Sequence, residues 1–143
     1  MPTRERIVVG VDGSEASLDA VRWALRQAEL TGAAVEALIS WDYPRQYGEE
    51  FYGEEFNWEK IATDTLQSSL GRLDEEARTR IEQRVVQGHP AQALVEASAG
   101  AQLLVVGSRG HGGFVGMLIG SVSEHVIAHA QCPVLVVRHH DDS

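Results

Sequence analysis

The residues with the clearest chemical potential lie between Leu103 and Ser123, in the segment LLVVGSRGHGGFVGMLIGSVS. An apolar, strand-like run from Leu103 to Val106 ends at Gly107, and a glycine-rich loop carries the chain to Gly120-Ser121, where a helical pattern begins. Glycines let backbone N–H groups approach a ligand with no Cβ in the way. A helix N-terminus adds unpaired N–H groups and a partial positive charge, so strand, glycine loop and helix start together suit a phosphate. Ser121 and Ser123 add hydroxyl donors, and Arg109 is the one cation of the loop. A plainer reading competes: Ser121-Val122-Ser123-Glu124 fits a capping box, with Ser121 at the N-cap and Glu124 reaching back. Spacing alone leaves phosphate binding and a flexible, capped loop both open.

Two familiar phosphate designs are excluded. A Walker A loop needs a lysine that reaches the outer phosphates, and the only lysine, Lys60, is far from the loop in sequence. A dinucleotide fingerprint places closely spaced glycines after the first strand and an acidic residue about 20 positions later. Here the first strand runs into Val11-Asp12-Gly13-Ser14 instead. What remains is a loop whose donors are mostly backbone amides.

Other candidates are weaker. His125 and His129 are four residues apart on a helical pattern, a spacing that can bind a metal, but no third ligand accompanies them and a surface or packing role is the plainer reading. His139-His140-Asp141-Asp142 reads as a solvated tail and His111 as a loop residue, with phosphate contact as its alternative. Glu49, Glu50, Glu54 and Glu55 read as a solvated acidic loop. No Ser/His/Asp or Cys/His grouping of recognisable order is present, so no catalytic residue is assigned.

The elements that must aim the loop follow a regular alternation. Ile7 to Val11 is a continuous β-branched run, as expected of a central parallel strand covered on both faces. Ser14 is a good N-cap, Leu18, Val21, Leu25 and Ala28 share one helical face, and Thr31-Gly32 ends that helix. Ala33 to Trp41 reads as a second strand. From Trp41 to Trp58 lie seven of the nine aromatic residues, broken by Pro44, Gly48 and Gly53, and the stretch of about 42–58 reads as a functional or mobile loop, an aromatic lid or a dimer contact. A long helix is expected from Glu59 to Gln83, with Gly71 as its weak point. Arg84 to Val86 reads as a third strand, Pro90 to Ala99 as a helix opened by proline, Leu103 to Val106 as a strand, Ser121 to Ala130 as a helix and Pro133 to Val137 as the last strand. Strict alternation of strands and helices means an α/β fold, one three-layer α/β/α domain over 1–143 with a parallel sheet and a frayed tail at 139–143. Ligands of such sheets bind outside the strand carboxyl ends, where strand order reverses.

The bulk composition fits one ordinary domain of 143 residues. A formal charge of −9 argues against a nucleic-acid or membrane-surface binder, since those recruit phosphates with positive charge. No run approaches the roughly 20 apolar residues of a membrane span, and no signal peptide opens the chain. The single Cys132, read as a buried structural thiol, cannot form an internal disulfide, and a reducing cytoplasm is the expected compartment.

The spacing Gly107-x2-Gly110-x9-Gly120-Ser121 resembles the nucleotide-binding signature G-x2-G-x9-G-[ST] of the universal stress protein family. Val8-Val9-Gly10-Val11-Asp12-Gly13-Ser14 resembles the family's opening strand and turn, and Cys132-Pro133-Val134-Leu135-Val136-Val137 its closing strand, so the resemblance covers the whole chain. It implies a Rossmann-like, adenine nucleotide alpha hydrolase-like domain with a five-stranded parallel sheet in the order 3-2-1-4-5. It further implies an ATP-binding regulatory dimer of the stress response, with Mg²⁺ beside the phosphates. Asp12 would then approach the ribose or a phosphate-bound metal, Ile39 and Ser40 would meet the adenine, and Val106 would close the base pocket. Gly107, Gly110, Gly120, Ser121 and Ser123 would hold ribose and phosphates, with the Val122 amide alongside and Arg109 as the nearby cation. Gly112, Gly113 and Gly116 make the spacer more mobile. Dimerisation is implied through the last strand, Val134 to Val137, an edge that such pairing would satisfy. The alternatives are AMP, ADP or cAMP as the nucleotide, a slow ATPase, or a nucleotide-independent interaction module using the aromatic segment.

Overall fold

The computed structural model describes residues 5–43, 57–108 and 120–138. Ten elements follow one another: β1 (Arg6–Gly10), α1 (Glu15–Thr31), β2 (Ala34–Trp41), α2 (Trp58–Leu70), α3 (Glu75–Thr79), β3 (Ile81–Gln87), α4 (Pro90–Ser98), β4 (Leu103–Gly107), α5 (Ser121–His129) and β5 (Val134–Val137). The five strands form one sheet in the order β3-β2-β1-β4-β5. Every pairing is parallel, with Val8 set against Glu36 of β2 on one side and Leu104 of β4 on the other. The α/β architecture and strand order expected from the sequence are those observed.

The run Ile7-Val8-Val9 is apolar throughout because both faces of β1 are covered. Ile7 and Val9 pack with Leu18, Val21 and Leu25 of α1 and Leu66 of α2, whereas Val8 packs with Leu94 of α4, Leu104 and Val126 of α5. Helices therefore cover both faces, and the strand carboxyl ends open between them.

Helix boundaries follow local chemistry. Ser14 N-caps α1: its side chain accepts a hydrogen bond from the Ser17 N–H at 3.1 Å. Gly32 closes α1 in the left-handed conformation, φ 78°, with its N–H bonded to the Ala28 carbonyl. Replacing the cap, Ser14→Ala, is expected to lower stability by about 1 kcal/mol; a chemical-denaturation midpoint equal to that of the wild type would show that the cap contributes nothing.

One expectation fails. The long helix predicted over Glu59 to Gln83 stops at Leu70, with Gly71 as its C-cap. Asp74 then starts the short α3, its carboxylate accepting from the Ala77 N–H at 2.8 Å. Ile81 opens β3, three residues earlier than the strand expected from Arg84, because it pairs with Val35 in the sheet. Smaller shifts move β1 to Arg6–Gly10 and end α4 at Ser98, α5 at His129. The tail at 139–143 and the aromatic segment over 44–56 lie outside the described residues.

Candidate functional site

A cavity of about 490 Å³ opens at the carboxyl ends of β1, β2 and β4. It sits where the strand order reverses, with β2 beside β1 on one side and β4 on the other, the point at which ligands of open α/β sheets bind.

The β1 side is a self-held turn. Gly13 takes φ 87°, a conformation open to glycine at no steric cost. The Asp12 side chain accepts from the Ser14 N–H at 2.9 Å, and the Asp12 N–H donates to Ser17 Oγ at 3.3 Å. Ser17 is buried and in turn donates from Oγ to the Ser14 carbonyl at 3.0 Å. Asp12 itself is exposed at the cavity wall.

The β4 side is tied to α5. Ser123, only 4% exposed, donates from Oγ to the Gly107 carbonyl at 2.6 Å. Its hydroxyl hydrogen is therefore committed to holding α5 against the strand. Ser108 is buried, its N–H bonded to the Val137 carbonyl at 2.8 Å, and its own carbonyl receives the Gly120 N–H. Gly120, and not Ser121, is the N-cap of α5, with extended backbone at φ −73° and ψ 164° and no side-chain cap. The capping box expected as one reading is thus not formed. With Gly120 at the cap there is no cap side chain, and the third helical position is Ser123, bonded to Gly107, so Glu124 falls one residue too late to reach back. The first turn of α5 consequently faces the cavity with Ser121 exposed and, among the described residues, no side chain capping its amides.

The β2 side supplies Ile39, Ser40 and Trp41, and α2 contributes Trp58, Ile61, Ala62 and Thr65. Trp41 meets Tyr43 edge-on at 5.5 Å between ring centroids. Ile61 is 48% exposed despite its size, a half-open apolar wall. Ser40 Oγ is buried and has no hydrogen-bond partner among the described residues.

Of the residues expected at the site, Asp12, Ile39, Ser40, Val106, Gly107, Gly120, Ser121, Val122 and Ser123 all line this one cavity. Arg109 and Gly110 lie outside the described residues. Sequence reading missed Ser17, Trp41, Trp58, Ile61, Thr65, Pro90 and Leu94, which also line it. The aromatic segment stands out in the sequence, but nothing local marks its two flanking tryptophans as wall residues, since a neighbour in space leaves no local pattern.

Two ionisable groups are shifted. The Asp64 carboxylate, hydrogen-bonded to Lys60 at 2.8 Å, holds that ammonium above its ordinary value on an exposed face of α2. Burial pushes the Cys132 thiol up, away from the reactive thiolate. Cys132 is partly exposed, not fully buried as expected, and its thiol points to the Pro133 carbonyl at 3.3 Å. Among the described residues no group of three or more His, Cys, Asp or Glu side chains is placed to hold a metal. Among those residues, too, no helix is long and apolar enough to cross a membrane.

These features define a parallel α/β protein whose strand carboxyl ends open into a glycine-edged crevice bounded by the start of α5. The chain belongs to the universal stress protein family, whose profile matches residues 3–138. It is 39% identical over 140 residues to universal stress protein Rv2623 of Mycobacterium tuberculosis, a match covering 96% of this chain and 46% of that protein. The chain thus spans about half the length of the curated relatives it matches. A universal stress protein solved in complex with cAMP superimposes with a TM-score of 0.70 at 29% identity, covering 96% of this chain and 98% of that one. The fold is also that of the Archaeoglobus fulgidus universal stress protein in complex with dAMP, TM-score 0.66 at 22% identity, covering 96% and 99% of the two chains.

Proposed function

We propose that this chain binds an adenine nucleotide in the cavity at the strand carboxyl ends, with ATP as the cellular ligand and regulation rather than turnover as its role. The observation that carries the reading is the start of α5: Gly120 leaves the first-turn amides without a side-chain cap, on the wall of the cavity and close to Gly107. Backbone N–H groups at such a point hold phosphate oxygens. Ile39, Val106 and the tryptophan side of the cavity offer the apolar surface a base needs. The relative bound to cAMP supports an adenine nucleotide.

The residues present fit a Mg²⁺ that arrives with the phosphates. Magnesium is held by one or two carboxylates plus phosphate oxygens and waters, and Asp12, with Asp42, is a carboxylate at the cavity wall. Metal would supply charge neutralisation of the triphosphate. We further propose a homodimer in the cytoplasm through β5: it is the last strand of the sheet, paired among the described residues with β4 alone, and Val134 to Val136 are partly exposed.

Thermal unfolding with Mg-ATP, AMP, cAMP and GTP tests the reading. At a free concentration about ten times Kd, an adenine nucleotide should stabilise the fold by about 1.4 kcal/mol. Ser121→Glu places a carboxylate in the first turn of α5, where it favours the helix but repels phosphate. The variant should melt no lower than the wild type and lose the nucleotide-induced rise. Absence of any rise with adenine nucleotides at millimolar concentration would overturn the proposal.

A further inference from the structure

The exposed face of α5 carries a pair of imidazoles that the nucleotide site does not use. His125 and His129 are one helical turn apart, both exposed, with ring centroids 4.4 Å apart and planes tilted by 42°. Side chains at i and i+4 on a helix are neighbours, so the backbone holds the two rings on the same side. Val126, between them in sequence, is fully buried, and Ser123 is bonded to Gly107. The helix is therefore anchored to the core, and the pair is presented on a fixed frame. Both rings lie on the exposed side of the helix, away from the buried Val126. The partial negative charge at the helix C-terminus, in whose last turn His129 lies, favours a cation there, as does the net charge of −9.

We infer that His125 and His129 form a bidentate site for a borderline divalent transition cation of the Ni²⁺, Cu²⁺ or Zn²⁺ type. Imidazole nitrogen suits these ions, whereas Mg²⁺ and Ca²⁺ require oxygen ligands. With no third His, Cys, Asp or Glu ligand within reach among the described residues, the remaining coordination positions go to water. The site is open and exchangeable, unlike the closed four-ligand sites that hold structural zinc. It lies on the outer face of α5 and does not depend on nucleotide binding.

Calorimetric titration of the whole chain with NiCl₂ tests the inference, alongside His125→Gln, His129→Gln and, as a separate control for the tail, the pair His139→Gln and His140→Gln. Glutamine is a good helix former and both side chains are exposed, so the variants should melt with the wild type in the absence of metal. The wild type should take up one Ni²⁺ per chain, with MgCl₂ giving no heat, and NMR should show the His125 and His129 ring signals broadening together. Either α5 variant should weaken binding at least ~10-fold, since even an outer-shell loss costs that much, while the tail variant binds normally. Unchanged binding in His125→Gln and His129→Gln, loss of binding only in the tail variant, or no Ni²⁺ uptake at all would each overturn the site.

Discussion

Replacing Gly107 with alanine is expected to lower stability by about 3 kcal/mol, the upper end of the range for over-packing a core. A Cβ built on Gly107 would lie 2.8 Å from the Ala16 carbonyl carbon and 2.9 Å from its Cβ and oxygen. All three atoms belong to the first turn of α1, and two are backbone, so no rotamer change relieves the contact. The helix must back away from β4, carrying Ser14, Ser17 and the Asp12 turn with it. Two other glycines set the scale. At Gly10 the atoms nearest the added Cβ are Leu94 side-chain carbons, 3.0 and 3.2 Å away, which can turn aside. At Gly100 nothing lies within 4 Å, and the cost is only that of holding alanine at φ 77°, about 1 kcal/mol. Gly107→Ala should therefore melt lowest of the three, roughly 10 °C below the wild type. If it melts together with Gly10→Ala and Gly100→Ala, α1 yields freely and the close approach of helix to strand is not a constraint.

That result bears on what the glycine signature means. From sequence, Gly107 reads as backbone kept bare for a ligand or as the edge of a flexible loop. The structure gives a second reason, the packing of α1, and the two separate by measurement: a packing role lowers the melting temperature of the protein alone. The sequence was informative wherever the deciding interaction is local. Ser14 caps α1, Gly32 ends it and Pro90 opens α4 through backbone geometry that neighbouring residues settle. β1 was visible because burial on both faces leaves a run of β-branched residues. The misread stretch followed Leu66, Leu70, Leu73, Ala77 and Ile81, all buried, whose spacing continues a helical period past the actual break at Gly71. β3 gave little counter-signal: as the outermost strand beside β2 it exposes Glu82, Gln83 and Arg84, so no apolar run marks it. Pairing with β2 decides its conformation, and pairing is not local. The candidate site divides the same way. Glycines and Asp12 stood out by type and spacing, whereas the tryptophan wall and the Ser123 bond to Gly107 exist only once distant elements meet.

The second large effect is expected at Glu36, which lies in the middle of β2 and is only 8% exposed. In a single sequence it reads as a polar interruption of an otherwise apolar strand. Its neighbours across the sheet explain it: Oε1 accepts from Arg84 Nη1 at 2.9 Å, and Oε2 lies 3.4 Å from Arg6 Nη1. Arg6 also donates to the carbonyls of Ala97 and Ala99 at 2.9 Å each, so the same guanidinium receives the C-terminal end of α4. One carboxylate thus links β1, β2 and β3 and, through Arg6, a helix on the Leu94 side of the sheet. Removing one member of a fully buried pair costs about 3–5 kcal/mol because the remaining charge is left uncompensated. Both arginines are partly exposed, Arg84 more than Arg6, and water recovers some of that cost. Glu36→Ala is therefore expected to lose about 2 kcal/mol, read as a lowered denaturation midpoint with an unchanged slope. Glu36→Gln keeps an acceptor for Arg84 and should lose less. A double-mutant cycle with Arg84→Ala isolates the charge pair, and a coupling energy near zero would mean that Glu36 serves only to fill space. The nucleotide-induced rise in melting temperature should survive in Glu36→Ala, since residue 36 does not line the cavity. Its loss there would show that the charge network and the ligand site are coupled through β2.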